Sequence, residues 1–323
     1  MFEVPSVLSR AQSALQGLLP STRRFVYADL PRSGLGNKVL VWGRALAFAH
    51  VNRIPLFVHG WVQLKLGPIL RRERSARLYF GYFDDPRVVG PLGRLLLRRA
   101  ARQIREPEGL TPPADGAVTA YVFNELPHWS DTFKGLRDQR AIVRDAFNAI
   151  VHPAQRRALD RLAAPVLGVH IRQGDFRALR PDEDFAKVGH VRAPLAYFRS
   201  RIVALRRVCG EVPVTVFSDG RDADLAEILT MPGVRRSTAP SDLVDLLLLA
   251  RSQVILAAPG SSFGALAGYL ADAPLLHHPD HYHAPARPPE VNERWYEGPI
   301  GEEPERWPAL LLENLKRVTP VPR

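Results

Sequence analysis

Cysteine is almost missing from this chain: Cys209 is the only one in 323 residues. No internal disulfide can form, and no zinc site of several thiolates is available, so a reducing, cytoplasmic setting is expected. Long apolar runs are missing too, and nothing approaches the roughly 20 consecutive apolar residues that cross a bilayer. The opening MFEVPSVLSRAQSALQGLLP lacks the unbroken apolar block and small-residue cleavage site of a signal peptide. Leu8, Ala11, Leu15, Leu18 and Leu19 share one helix face there. Residues 1–21 are therefore expected to be a helical extension packed on the body, with a peripheral contact at the inner membrane surface through residues 1–20 left open. Lysine is scarce, 5 against 39 arginines, within a net charge of +11. That balance suits an anionic ligand. The Arg-rich segments lack interleaved stacking aromatics and any recognised binding motif, so nucleic acid is not an expected partner.

What is present is a repeated alternation of strand and helix. Apolar residues make up 46% of the chain, enough for two cores. RFVYADL reads as a strand, PRSGLGN as a turn, KVLVWGRALAFAHVN as a helix and IPLFVHG as a second strand, a unit of an open parallel sheet. Between residues 62 and 115, ILRRERSARLYF and RLLLRRAARQIREP read as helices with one solvated face. The segment from Asp131 to Ala163 is helical, and a second alternation begins near Val166. It runs through a strand at 166–171, a helix near 194–208 and the strand VPVTVFSD. After these come a helix beyond Arg221, the helix SDLVDLLLLARS, the strand QVILAA, the helix SSFGALAGYLAD and the strand PLLHH. Uninterrupted Val/Ile/Leu strands between helices mean a parallel sheet covered on both faces. The expected architecture is α/β, with residues 22–160 and 161–284 as two domains whose sheets face a central cleft. A Pro-rich tail and last helix fill 285–323.

Ligands of open α/β sheets bind beyond the carboxyl ends of the strands, and the polar clusters fall there. In GVHIRQGDFR, His170 and Arg172 share a side of the strand, and Gly174 permits a sharp turn. Arginine forks onto a phosphate through two parallel hydrogen bonds. The alternative is an Arg172–Asp175 ion pair that closes the loop. Ser218 and Asp219 end the next strand and suit either capping of the following helix or ligand contact. Asp245 lies in a helix apolar nearly all round, where an unpaired carboxylate is costly; the two adjacent N–H donors of guanine would satisfy it. Ser261 and Ser262 open a helix whose N-terminal amides make a phosphate seat. Gly34, Gly36 and Asn37 form a tight turn whose amides face the cleft; neither the G-x-G-x-x-G nor the G-x-x-x-x-G-K-[ST] spacing is met. HHPDHYH, residues 277 to 283, has no helical spacing of ligands and is interrupted by Pro279, so it is expected to be a cleft-edge loop and no metal is assigned.

Taken together, His170-Ile171-Arg172-Gln173-Gly174-Asp175, Ser218-Asp219, Asp245 with Ser261-Ser262-Phe263, and Gly34-Leu35-Gly36-Asn37 resemble the inverting fucosyltransferases that use GDP-fucose. These include the α1,2-, α1,6- and protein O-fucosyltransferases. The motifs occur in the family's order across residues 24 to 275. Gln173 stands where the family has a second arginine, Gly220 where many members have a second aspartate, and GALAGYL replaces the aromatic continuation of the α1,2 enzymes.

The resemblance implies a GT-B-like fold of two Rossmann-like domains and a metal-independent inverting transfer with no cofactor. Arg172 would hold the β-phosphate, His170 would support the nucleotide, and Asp245 would read guanine. Ser261 and Ser262 would hold ribose or phosphate, and the GLGN turn would face sugar and acceptor. Asp175 is the first candidate for the base that takes the acceptor's proton, with Asp182, Glu183 and Asp184 in reserve. The expected partners are a nucleotide sugar and a glycan acceptor, oligosaccharide or lipid-linked, the latter contacted within residues 60–135 and 177–192. Two alternatives stay open: a sugar-nucleotide-binding protein without transfer activity, and transfer from another nucleotide sugar.

Overall fold

A computed structural model describes residues 24–64, 66–70, 76–107, 109–110 and 118–318; the expected helix at residues 1–21 lies outside them. The first half opens with β1 (Arg24–Asp29), α1 (Leu35–Asn52), β2 (Leu56–His59), α2 (Pro91–Ala100), β3 (Arg102–Arg105) and β4 (Thr119–Phe123). Its four strands lie in the order β2-β1-β4-β3, all parallel. α3 (Arg140–Ile150) and α4 (Pro153–Asp160) lead to β5 (Leu167–Ile171), α5 (Leu195–Cys209), β6 (Val214–Ser218) and β7 (Val234–Arg236). Then come α6 (Asp242–Ala250), β8 (Val254–Leu256), α7 (Ser262–Leu270), β9 (Leu275–His277), β10 (Glu297–Pro299) and α8 (Ala309–Lys316). The second sheet is also parallel throughout, in the order β10-β9-β8-β5-β6-β7. Two parallel sheets with covering helices make the α/β architecture read from the alternation.

Each sheet reverses its direction of growth beside its first strand: between β1 and β4 in one, between β5 and β8 in the other. At such a switch point the loops diverge to opposite faces and leave a crevice. Those two crevices hold the residues discussed below.

One apolar cluster runs through both halves. It joins Val26, Trp42, Phe48 and Tyr121 of the first to Phe217, Leu246, Ile255 and Leu266 of the second. α1 is therefore buried over most of its circumference rather than along one stripe. A second cluster fills the far face of the larger sheet, where Val169, Phe198 and Val216 meet Trp307 and Leu311. Polar ties reinforce the junction. Arg140, at the start of α3, donates to the carbonyl of Ala271 at 2.6 Å and to Asp272 at 2.8 Å, at the C-terminal end of α7. A cation there complements the free carbonyls of a helix end.

Local readings fail where tertiary contacts overrule periodicity. Residues 76–79, part of the expected helix ILRRERSARLYF, are not helical, and Arg77 is buried rather than solvated; residues 71–75 lie outside the described set. The helix expected over RLLLRRAARQIREP stops at Ala100, and its continuation becomes the edge strand β3. β4, β7 and β10 are additional strands, each at most five residues long. β10 exists because Glu297, fully buried, accepts from the guanidinium of fully buried Arg287 at 3.2 Å, which carries the Pro-rich tail back to β9.

Candidate active site

The strand ends of both halves line a single cavity of about 1320 Å³. From the second half it receives His170, Arg172 and Asp175 after β5, Ser218 and Asp219 after β6, Asp245 on α6, and Ser261, Ser262 and Phe263 at the start of α7. From the first half come Gly34, Gly36 and Asn37. The polar residues singled out by motif thus share one cavity, although they are spread over more than two hundred positions of the chain.

Their individual settings differ from the simplest expectations. GLGN is not a free turn: Leu35 begins α1, so Gly36 and Asn37 lie in a helical first turn. Gly34 occupies the cap position and makes no side-chain capping bond. α7 starts beside it, with Ser261 in the cap position and making no capping bond through its hydroxyl. A methyl group on Gly36 would lie 2.8 Å from the Ser262 carbonyl carbon, so only glycine lets the two helix starts approach this closely. Two helix N-termini, one from each half, therefore point their partial positive charge at one cavity. Lys38, also in the first turn of α1, is buried and donates to the carbonyl of Gly60 at the end of β2, which fixes the start of α1 against the sheet.

Arg172 makes the ion pair considered above and a second one. It donates to Asp175 and to Asp219. Asp219 does not cap the following helix. Its Oδ1 accepts the backbone amides of Gln173 at 2.9 Å and Gly174 at 3.1 Å, pinning the loop after β5. Its Oδ2 takes the Arg172 guanidinium and, at 2.8 Å, that of Arg77. Ser218 holds the turn by accepting from the amide of Gly220 at 3.1 Å. Gln173 packs on Gly220 and is buried off the cavity wall.

His170 is fully enclosed and stacks on Phe263, with ring centroids 5.1 Å apart and planes 29° from parallel. Burial pushes its pKa down to about 3 despite the nearby Asp219, so the ring is neutral at physiological pH. It supports its neighbours by shape and as a neutral polar group, not by charge. Asp245 corrects another expectation. It stands in the first turn of α6, where the helix dipole favours a carboxylate, and Ser237 donates to it. Its cost is thus partly met without a ligand. The side chain remains half-buried at the cavity wall.

The acidic residues of the loop after Arg177 are engaged elsewhere. Glu183 is clamped by Arg177 at 2.6 and 2.7 Å and held well below the usual carboxylate range by that contact, at about 2. Asp184 caps Ala186 and pairs with Lys187 at 3.1 Å. Neither they nor Asp182 line the cavity, whereas Asp175 does and is 48% exposed. Across the mouth, Trp129 is 67% exposed between His128, at 5.3 Å, and His283, at 4.7 Å. The Nε2 of His281 meets the carbonyl of Phe185 at 2.9 Å. No group of three or more His, Cys, Asp and Glu among the described residues is arranged to hold a metal ion.

No protein-family model matches the sequence. No curated protein matches it either. Solved structures do. The NodZ fucosyltransferase from Bradyrhizobium superposes with a TM-score of 0.51 at 15% identity, covering 78% of this chain and 95% of that one. The fold is that of NodZ. NodZ α-1,6-fucosyltransferase soaked with GDP-fucose gives a TM-score of 0.51 at 14% identity over 77% of this chain and 93% of that one. Co-crystallised with GDP, NodZ gives 0.50 at 15% identity, over 78% and 94%. The shared length takes in nearly all of NodZ.

Proposed function

We propose that this chain is an inverting, metal-independent glycosyltransferase that moves fucose from GDP-fucose to a hydroxyl group of a glycan. The observation that carries the reading is the convergence of Arg172 and two helix N-termini on one cavity that also exposes Asp245. A fixed cation and two sets of backbone amides suit a diphosphate. A carboxylate on the same wall suits the two N–H donors of guanine. NodZ, whose fold this is, has been co-crystallised with GDP and soaked with GDP-fucose, which supports the same donor here.

The chemistry is a single displacement. The acceptor oxygen attacks the anomeric carbon as the bond to the diphosphate breaks, and the bonding electron pair leaves with the diphosphate. Charge develops on that leaving group, and preorganised donors that meet it lower the barrier. Arg172 and the helix amides fill that role with no metal. The acceptor's proton goes to Asp175, the exposed carboxylate at the cavity wall. While paired with Arg172 it is a poor base; a diphosphate that takes over the guanidinium releases it for the proton. The acceptor enters past Trp129, whose exposed ring offers an apolar face to the C–H face of a pyranose. A chain with one cysteine suits a reducing compartment, and we place the reaction in the cytoplasm, in glycan assembly.

The double ion pair of Arg172 favours a second reading, in which the loop closes on itself and nothing is transferred. Titration calorimetry with GDP, GDP-fucose, UDP and ADP, EDTA present throughout, separates the two. Micromolar binding of GDP that is lost in Arg172→Ala and Asp245→Ala is expected. Preference for UDP or ADP would keep a glycosyltransferase but change the donor. Absence of nucleotide binding would leave Arg172 as a loop clasp and overturn the proposal.

A further inference from the structure

Arg77 belongs to the first half of the chain and reaches across to the second. Its backbone has a left-handed φ of 53°, and its carbonyl accepts from the side chain of Gln63 at 2.9 Å. Its side chain is only 8% exposed, yet it lines the cavity. Nη2 donates to Asp219 Oδ2 at 2.8 Å, the same oxygen that takes the Arg172 guanidinium, and Nη1 lies 3.9 Å from Asp175. Gly174 leaves room for this contact pair, since a methyl group there would run into Asp219 Oδ2 and fall 2.9 Å from Arg77 Nη2.

Two guanidinium groups that share one carboxylate oxygen are like charges held side by side, and a like charge nearby is unfavourable unless an anion compensates it. Asp219 is committed on both oxygens, to the two arginines and to two backbone amides. Among the described residues, Asp175 is the second carboxylate these guanidiniums are recorded as meeting, and it is the more exposed of the two, at 48% against 15% for Asp219. A partly solvated carboxylate at the rim is exchangeable for a ligand anion at small cost. A diphosphate carries more negative charge than one carboxylate and presents several oxygens to a pair of guanidiniums.

We propose that Arg77 and Arg172 together seat the donor's diphosphate, with Asp175 as the carboxylate they release. The second cation of the site thus comes from the opposite half of the chain, so that the bound phosphates bridge the two halves. The inference rests on the donor reading above and adds a phosphate-contacting residue to it.

The test compares Arg77→Gln and Arg77→Lys with the unaltered chain in titrations with GDP and with guanosine, melting temperatures being recorded for each. Loss of a charge-assisted contact is expected to weaken GDP by about 10- to 100-fold while guanosine affinity stays within about twofold. Arg77→Lys should recover part of the loss, because it keeps the charge but not the fork. Equal loss of GDP and guanosine, or no change in either, would overturn the proposal and leave Arg77 a scaffold residue. If the unaltered chain binds neither ligand, the donor reading has failed. Inorganic pyrophosphate then decides the seat alone: binding that Arg77→Gln abolishes upholds it, and binding that survives, or none at all, refutes it.

Discussion

The two walls of the cavity are built by the same topology from different materials. Each sheet offers its switch point. The second half fills its crevice with side chains that carry chemistry: Arg172, Asp219 and Asp245. The first half contributes the backbone of the opening turn of α1, aromatic and polar side chains that include Tyr79, Tyr82, His128 and Trp129, and the cation Arg77, delivered by residues that are not helical. A wall of side chains at strand ends can be read from residue types, because charged groups after a buried run stand out. A helix start that works through its backbone amides cannot, and neither can a side chain whose importance lies in the distance it crosses.

The sharpest way to break this comparison is at the point where the walls touch. Gly36→Ala places a methyl group against the Ser262 backbone, and overpacking of this kind costs about 1–3 kcal/mol. Lowered melting temperature together with weakened GDP binding is the expected outcome. Gly34→Ala, two residues earlier, meets nothing within 4 Å and has a φ of −67°, so both quantities should stay put. A silent Gly36→Ala would show that the helix starts are not held together by this contact.

A smaller effect is expected at the mouth. Trp129→Ala should raise the acceptor KM by about tenfold, the loss of one aromatic contact worth about 1.5 kcal/mol, and leave GDP titration unchanged. A fall in GDP affinity instead would move Trp129 to the donor side and erase the division between walls.

A further effect concerns acid. Burial holds His170 at about 3 and His278 at about 4. The unfolded chain protonates these rings below about 6.5 while the folded chain resists, so the unfolded state binds more protons in that window. Stability is therefore full above that pH and is lost progressively as pH falls towards 4. Urea denaturation at pH 7 and at pH 4.5 measures this, and His170→Gln should flatten the slope. An unchanged slope would mean that the ring on the second wall already takes up its proton in the folded state.

Much of the second half was legible, for identifiable reasons. β5, β6 and β8 are fully buried runs of β-formers between helices, so their ends, and with them Arg172, Asp219 and Ser261, followed from pattern alone. At Asp245 the sequence shows an acid among leucines but not Ser237 folding back to meet it. Arg77 is hidden in the sequence because its neighbours are arginines and leucines that imitate an amphipathic helix; no local signal tells a buried arginine from a solvated one when Asp219, which it meets, lies 142 positions away. β10 was hidden likewise, since Glu-Gly-Pro has no strand character and depends on a buried Arg287–Glu297 pair.

The apolar cluster that runs from Val26 and Trp42 to Ile255 and Leu266 has a consequence for anyone wishing to take the molecule apart. Cutting the chain before β5 would leave each fragment with a bare greasy flank, α1 on one side and the pair α6 and α7 on the other. Such fragments should aggregate singly and recover a folded form when expressed together. The architecture is a single knot of two strands of thread, and neither thread holds its shape once the other is pulled out.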